Sequence, residues 1–206
     1  ALIDLDSSVT LPLGGNNPPD GITYYHIKIT GTSSSTYQEY VATYSTAIEC
    51  DYGDWAGSND NSVSMQIYSS MLNCYVHDGN TANAAYATRG VRCNLACTAM
   101  WNHFYNLPAT TTGNAFRTDS ISSYISNNLF RDVRVAVERA AGLNVVRYNT
   151  VAGEGGGTTA SGGFVYSAVG STVSIVSDNL AAFDGTTAYL YYCVDTTTNY
   201  TAFGPT

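Results

Sequence analysis

Lysine is almost missing from this 206-residue chain, where Lys28 stands beside seven arginines and sixteen acids for a net charge of −8. Without a cluster of cations, neither nucleic acid nor an anionic membrane surface is an expected partner, because phosphate neutralisation needs several cations close together. Charged residues of both signs make up only 12% of the chain, about half the usual share. No apolar run approaches the roughly eighteen residues of a membrane-spanning helix, so no membrane insertion is expected. The first residues, ALIDLDSSVT, have neither the basic end nor the apolar centre of a signal peptide, which reads as a mature or excised N-terminus. G-x-S-x-G, H-E-x-x-H, Walker and dinucleotide-binding motifs are all missing. Glu154-Gly-Gly-Gly lacks the Lys-Ser/Thr that would make it a phosphate loop. No cofactor, metal or catalytic residue is therefore assigned.

Polarity comes instead from Thr, Ser, Asn and Gly, with 17 tyrosines supplying most of the aromatic surface. That composition favours strands and turns, and tyrosine offers broad contact area at low entropic cost. Cys50, Cys74, Cys93, Cys97 and Cys193 are an odd set that cannot all pair within one chain. The Cys93–Cys97 spacing has no second Cys/His pair at finger-like distance, leaving buried thiols or one or two disulfides as the reading. Asn199-Tyr200-Thr201 is a glycosylation sequon, meaningful if the chain is secreted.

Along the chain, ITYYHIKIT (22–30) alternates with a two-residue period and predicts one strand. YQEYVATYSTAIEC and SVSMQIYSSMLNCYV have the same character. DYGDWAGSNDNS (51–62) reads as a loop and His77-Asp78-Gly79-Asn80 as a turn. The stretch 93–105 is compatible with a short helix or an irregular strand. In RDVRVAVE, Val133, Val135 and Val137 alternate with polar neighbours, and NVVRYNTV reads as the return strand of a hairpin. AGEGGGTTASGG (152–163) is a loop by composition, and two more strands follow it. Neither an internal repeat nor a domain-sized composition shift is evident. These features predict a mainly β, single-domain antiparallel barrel or sandwich with long loops and at most one or two short helices. Residues 1–21, rich in Pro and Gly, form a stalk, and 22–206 form the domain.

Chemistry is sparse. Glu39, Glu49, Asp51, Asp54, Glu138 and Asp195 are candidates for a glycosidase-like carboxylate pair, set against ordinary solvated acids. His26 reads as strand surface, His77 as part of a turn, and His103 as packed near Trp101 and Phe104. The most suggestive segment is Asp51-Tyr52-Gly53-Asp54-Trp55. Rings flanked by carboxylates suit sugars, whose apolar faces stack on aromatics while acids take the hydroxyls. Asp51, Tyr52, Asp54 and Trp55 are accordingly the candidate ligand-binding residues, with Trp55 as a lid over the sheet the bland alternative.

The pattern Thr10-Leu11-Pro12, then Pro19-Asp20-Gly21, then Tyr24-Tyr25 resembles the start of the spike domain of astrovirus capsid proteins of an avian type. The resemblance spans about fifteen residues, and the remainder is similar in character only. It implies a β-barrel-like homodimeric projection on the virion surface, folded in the host cytoplasm, that attaches to a glycan or protein receptor on the host cell and carries antibody epitopes. It implies no catalytic residue. Two other readings accompany it: a secreted carbohydrate-active hydrolase with paired Asp/Glu, and an adhesin or filament subunit in which ALIDLDSSVTL is an exchangeable strand.

Overall fold

The computed structural model describes residues 2–5, 19–31, 39–53, 61–79, 89–107, 114–119, 122–133, 135–139, 144–153, 163–167, 175–183 and 189–193. A first strand, β1 (Leu2–Leu5), precedes a three-strand unit that then recurs along the chain. The unit begins as β2 (Thr23–Tyr25), β3 (Lys28–Gly31) and β4 (Glu39–Val41). It returns as β5 (Thr46–Ile48), β6 (Asp51–Gly53) and β7 (Asn61–Met65), then β8 (Ser70–Leu72), β9 (Tyr75–His77) and β10 (Arg89–Cys93). The middle turns are β11 (Thr98–Met100), β12 (His103–Leu107) and β13 (Asn114–Thr118), then β14 (Tyr124–Ser126), β15 (Leu129–Val133) and β16 (Val135–Arg139). Last come β17 (Val145–Arg147), β18 (Thr150–Gly153) and β19 (Gly163–Ser167), and β20 (Ile175–Ser177), β21 (Leu180–Phe183) and β22 (Tyr189–Cys193).

Members of each unit do not pair with one another. Each pairs in parallel with its equivalents one turn before and after, building three sheets: β2-β5-β8-β11-β14-β17-β20, β1-β3-β6-β9-β12-β15-β18-β21, and β4-β7-β10-β13-β16-β19-β22. These are called the first, second and third sheets below. The chain is a β-solenoid. The predicted antiparallel barrel or sandwich is therefore corrected, and so is the barrel implied by the astrovirus resemblance. The hairpin of RDVRVAVE and NVVRYNTV (131–151) is corrected too: β16 and β17 lie in different sheets, and β17 runs parallel to β14 and β20. Among the described residues there is no helix, so 93–105 resolves into strands. Part of the predicted loop 51–62 is strand as well, in β6 and the start of β7; 54–60 lie outside the described residues, as do most of 152–163.

The corners explain why the sequence reads otherwise. Between the first and second sheets every turn places one residue in the left-handed region: His26, Glu49, Asn73, Trp101, Asn127, Tyr148 and Asp178, with φ between 53° and 59°. Tyr44, Tyr68, Ala96 and Ser122 do the same on leaving the third sheet, Asp78 on leaving the second, and Asn106 and Asp132 one residue before the ends of β12 and β15. Each such non-glycine residue costs about 1–2 kcal/mol, so the neighbouring position must offset it. At the corner between the first and second sheets, called the first corner below, that position is asparagine from Trp101 onward. The backbone N–H of Asn102 donates to Asn128 Oδ1 (2.9 Å), that of Asn128 to Asn149 Oδ1 (3.0 Å) and that of Asn149 to Asn179 Oδ1 (2.8 Å). Their amide nitrogens donate to the carbonyls of Met71, Ala99 and Ile125. The result is a buried ladder that satisfies backbone groups which the corners would otherwise strand.

Inside the coil, Ala47, Met71, Ala99, Ile125 and Val146 line the first sheet, and Ile29, Tyr52, Val76, Phe104, Phe130 and Val151 the second. Phe104 stacks on Phe130 at 4.9 Å and meets Phe116 edge-on at 6.2 Å. The alternating valines 133, 135 and 137 are all buried, but Val133 belongs to β15 and the other two to β16. Cys93 and Cys97 form a disulfide, whereas Cys50 and Cys74 are buried and not bridged. Leu2–Leu5, within the stretch read as a stalk, extends the second sheet by pairing with β3; residues 6–18 lie outside the described residues.

Candidate functional site

The outer face of the second sheet gathers the polar and aromatic residues that chemistry can use. In-register pairing stacks Lys28, Asp51, Tyr75, His103 and Leu129 in one column, and Gly53, His77, Tyr105 and Arg131 run beside it. His77 lies across this surface, only 8% exposed. Its Nε2 is 2.7 Å from Asp51 Oδ1 and its Nδ1 is 2.7 Å from Asp78 Oδ2. Carboxylates only accept, so both contacts are hydrogen bonds when both ring nitrogens carry protons. Lys28 Nζ holds the other Asp51 oxygen at 3.1 Å, and Asn106 donates to Asp78. Gly53 makes this geometry possible: a Cβ there would lie 2.5 Å from His77 Cε1.

Rings continue the surface. Tyr105 stacks on His77 at 4.6 Å and nearly parallel, while His103 tilts against Tyr105 (4.9 Å) and Tyr75 (5.8 Å). Tyr75 is 45% exposed, and Trp101, at the corner leading into β12, is 56% exposed. Burial, aided by the Arg131 and His77 charges, holds the His103 imidazole below its ordinary 6.5. Its Nε2 is buried without a hydrogen-bond partner among the described residues, leaving nothing to stabilise a second proton.

The carboxylates respond in the opposite sense. Burial alone would raise Asp78, but hydrogen bonds from His77 and Asn106 and the His77 charge bring it below 3.8. On the third sheet, burial likewise opposes the ionised form of Asp119, and Arg117 and Arg92 override it, leaving this carboxyl below 3.8 as well. Both acids stabilise the fold above pH 3.8 and lose that contribution as the pH falls through their folded values. His103 adds an earlier loss, since below pH 6.5 the unfolded chain takes up a proton that the fold resists. Urea midpoints measured against pH are expected to decline in two stages, beginning near 6.5 and steepening below 3.8. His103→Gln removes the first stage and leaves the second.

Of the residues singled out in the sequence, Asp51 lies on this face. Tyr52 does not: it points inward, fully buried, and cannot stack on a ligand. Asp54 and Trp55 lie outside the described residues, as does Asp195. Glu49 pairs with His26 at the first corner (3.0 Å), and Glu138 is bound to Arg117 (3.2 Å) and Asn114 on the third sheet. The carboxylate that shares a site with Asp51 is Asp78, which was not among the candidates. His103 differs from expectation by facing out toward the tyrosines, while Phe104 faces the core. Tyr75, His77, Tyr105 and Asn106 were legible only as members of strands and turns. Tyr75 lies two residues, and His77 and Tyr105 four residues, beyond the left-handed corner residues Asn73 and Trp101, a spacing that nothing in the local sequence marks. Among the described residues no group of three or more His, Cys, Asp or Glu is arranged to hold a metal ion. No protein family, curated protein or solved structure matches the chain.

Proposed function

We propose that this solenoid is a non-enzymatic attachment module whose second-sheet face binds an extended glycan. The observation that carries the reading is the row of rings on a rigid wall, Trp101, Tyr75, His103 and Tyr105, bordered by Lys28, Asp51 and Asn106. Sugars present apolar faces to such rings and hydroxyls to such a border. Parallel strands repeat every 4.8 Å or so, so the wall offers contacts at regular steps, which suits a polymer better than a small molecule. Because the rings stand on sheet and corner positions, little ordering entropy opposes binding. Host-cell receptor attachment at a virion surface, with antibody recognition of the same exposed face, remains the setting in which we place this activity; the solenoid lends the astrovirus resemblance no support.

The arrangement of Asp51 and Asp78 favours binding over hydrolysis. A glycosidase keeps open space between its two carboxyls for the sugar or a water, and here an imidazole fills it. Glycan-array screening followed by calorimetry on a bound oligosaccharide tests the proposal. Tyr75→Ala and Trp101→Ala are each expected to weaken binding roughly ten-fold, with circular dichroism unchanged. Undiminished affinity in both variants would refute it. Release of reducing sugar that disappears in Asp51→Asn would replace it with the hydrolase.

A further inference from the structure

Two cysteines stand where the ladder elsewhere has asparagine. Cys50 and Cys74 follow the left-handed residues Glu49 and Asn73, one turn apart, in the place held further on by Asn102, Asn128, Asn149 and Asn179. Both are fully buried and neither is bridged. As ladder rungs they are inferior. The N–H of Cys50 donates to Cys74 Sγ (3.4 Å), a weaker acceptor than the Asn102 oxygen that takes the N–H of Cys74 (2.9 Å). A thiol also has one proton to donate where an amide has two. Each sulfur is in reach of two carbonyls, those of Ile48 and Tyr24 for Cys50 and those of Leu72 and Ala47 for Cys74. What the pair has that asparagine lacks is two sulfurs on successive rungs, with Cys74 Sγ 3.4 Å from the backbone nitrogen of Cys50. Equivalent positions on neighbouring parallel strands stand about 4.8 Å apart, inside the roughly 4.4–6.8 Å window of Cα separations that a disulfide spans.

We infer that Cys50 and Cys74 are the site of a disulfide that staples one turn of the solenoid to the next, where the asparagine ladder ends. Forming it removes two protons and two electrons from the thiols. The oxidant is a low-molecular-weight disulfide such as oxidised glutathione, which is reduced to two thiols by exchange through a mixed disulfide. Because both sulfurs are enclosed, exchange occurs before the turn carrying Tyr24 closes over them, and the finished bond is shielded from reductant in the native protein. Cys93–Cys97 closes a loop of separation 4, whereas this bond would tie residues 24 apart (74 − 50) in adjacent turns. Two bridges use four of the five cysteines and leave Cys193.

The test is to refold the full chain with oxidised and reduced glutathione, denature it without reductant, alkylate, digest and read the peptides by mass spectrometry. The expected result is a linked pair of peptides containing Cys50 and Cys74, two hydrogens lighter than the free peptides, which survives reductant applied to the native protein. In Cys50→Ser the Cys74 peptide becomes alkylated and the count of reactive thiols rises by one. Alkylation of both Cys50 and Cys74 in the refolded wild type, or linkage of either to another cysteine, overturns the inference whatever the state of Cys93–Cys97.

Discussion

Replacing Asn128 with alanine is expected to destabilise the protein by about 3–6 kcal/mol, enough to unfold much of the coil at moderate urea. The side chain is buried at the first corner and serves both neighbouring turns. Its oxygen accepts from the backbone and the side-chain nitrogen of Asn102, and its nitrogen donates to the carbonyl of Ala99 and to Asn149. Alanine leaves those partners inside the protein with no water to replace the lost bonds, and each orphaned group costs about 1–3 kcal/mol. Leucine, close in size, is expected to be no better, because the loss is of polarity and not of volume. Equilibrium urea denaturation gives the number. A cost below about 1 kcal/mol would mean that the ladder is incidental to the corner. Since rungs share partners, Asn128→Ala and Asn149→Ala together are expected to cost less than their sum.

Phe104→Ala is expected to cost about 3–5 kcal/mol, the usual range for emptying a buried aromatic site. Phe104 is fully buried in β12, stacked on Phe130 of the next turn and edge-on to Phe116 across the coil. It therefore joins two sheets and two turns at once. Neighbours cannot collapse into the space, because the positions of Phe130 and Val76 are set by the pairing of β15 and β9 with β12. Phe104→Leu should recover more than half of the loss. The same denaturation measurement decides: a small penalty for alanine would mean that the centre of the solenoid is loosely packed.

Strand character was legible nearly everywhere, and its arrangement was not. ITYYHIKIT shows why. Alternation runs through the segment without a visible break, yet His26 turns the chain at φ 53° and assigns Tyr24 and Ile29 to different sheets. The interior residues of each corner are spaced three and two apart, as in Ala99, Asn102 and Phe104, or Ile125, Asn128 and Phe130. A two-residue period holds within each short strand and slips once per corner. Left-handed residues are also hard to anticipate, because glutamate, tryptophan and tyrosine occupy positions where asparagine or glycine would have announced a turn. The repeat went unseen for a similar reason: equivalent residues lie 21 positions apart from Tyr124 to Val145 and 30 from Val145 to Ile175.

The site was legible in part. Asp51 was singled out for its neighbours in sequence, but its working neighbours are Lys28, His77 and, through His77, Asp78, brought together from successive turns. Composition, charge and local alternation by themselves determined that the chain is β-rich, acidic and without a familiar catalytic motif, since each of these depends on residues close in the chain. Parallel pairing, the asparagine ladder, the inward turn of Tyr52 and the meeting of His77 with two carboxylates were decided only by the tertiary structure. Each of them joins residues a full turn apart, and the length of a turn is set by corners whose backbone angles local sequence does not dictate.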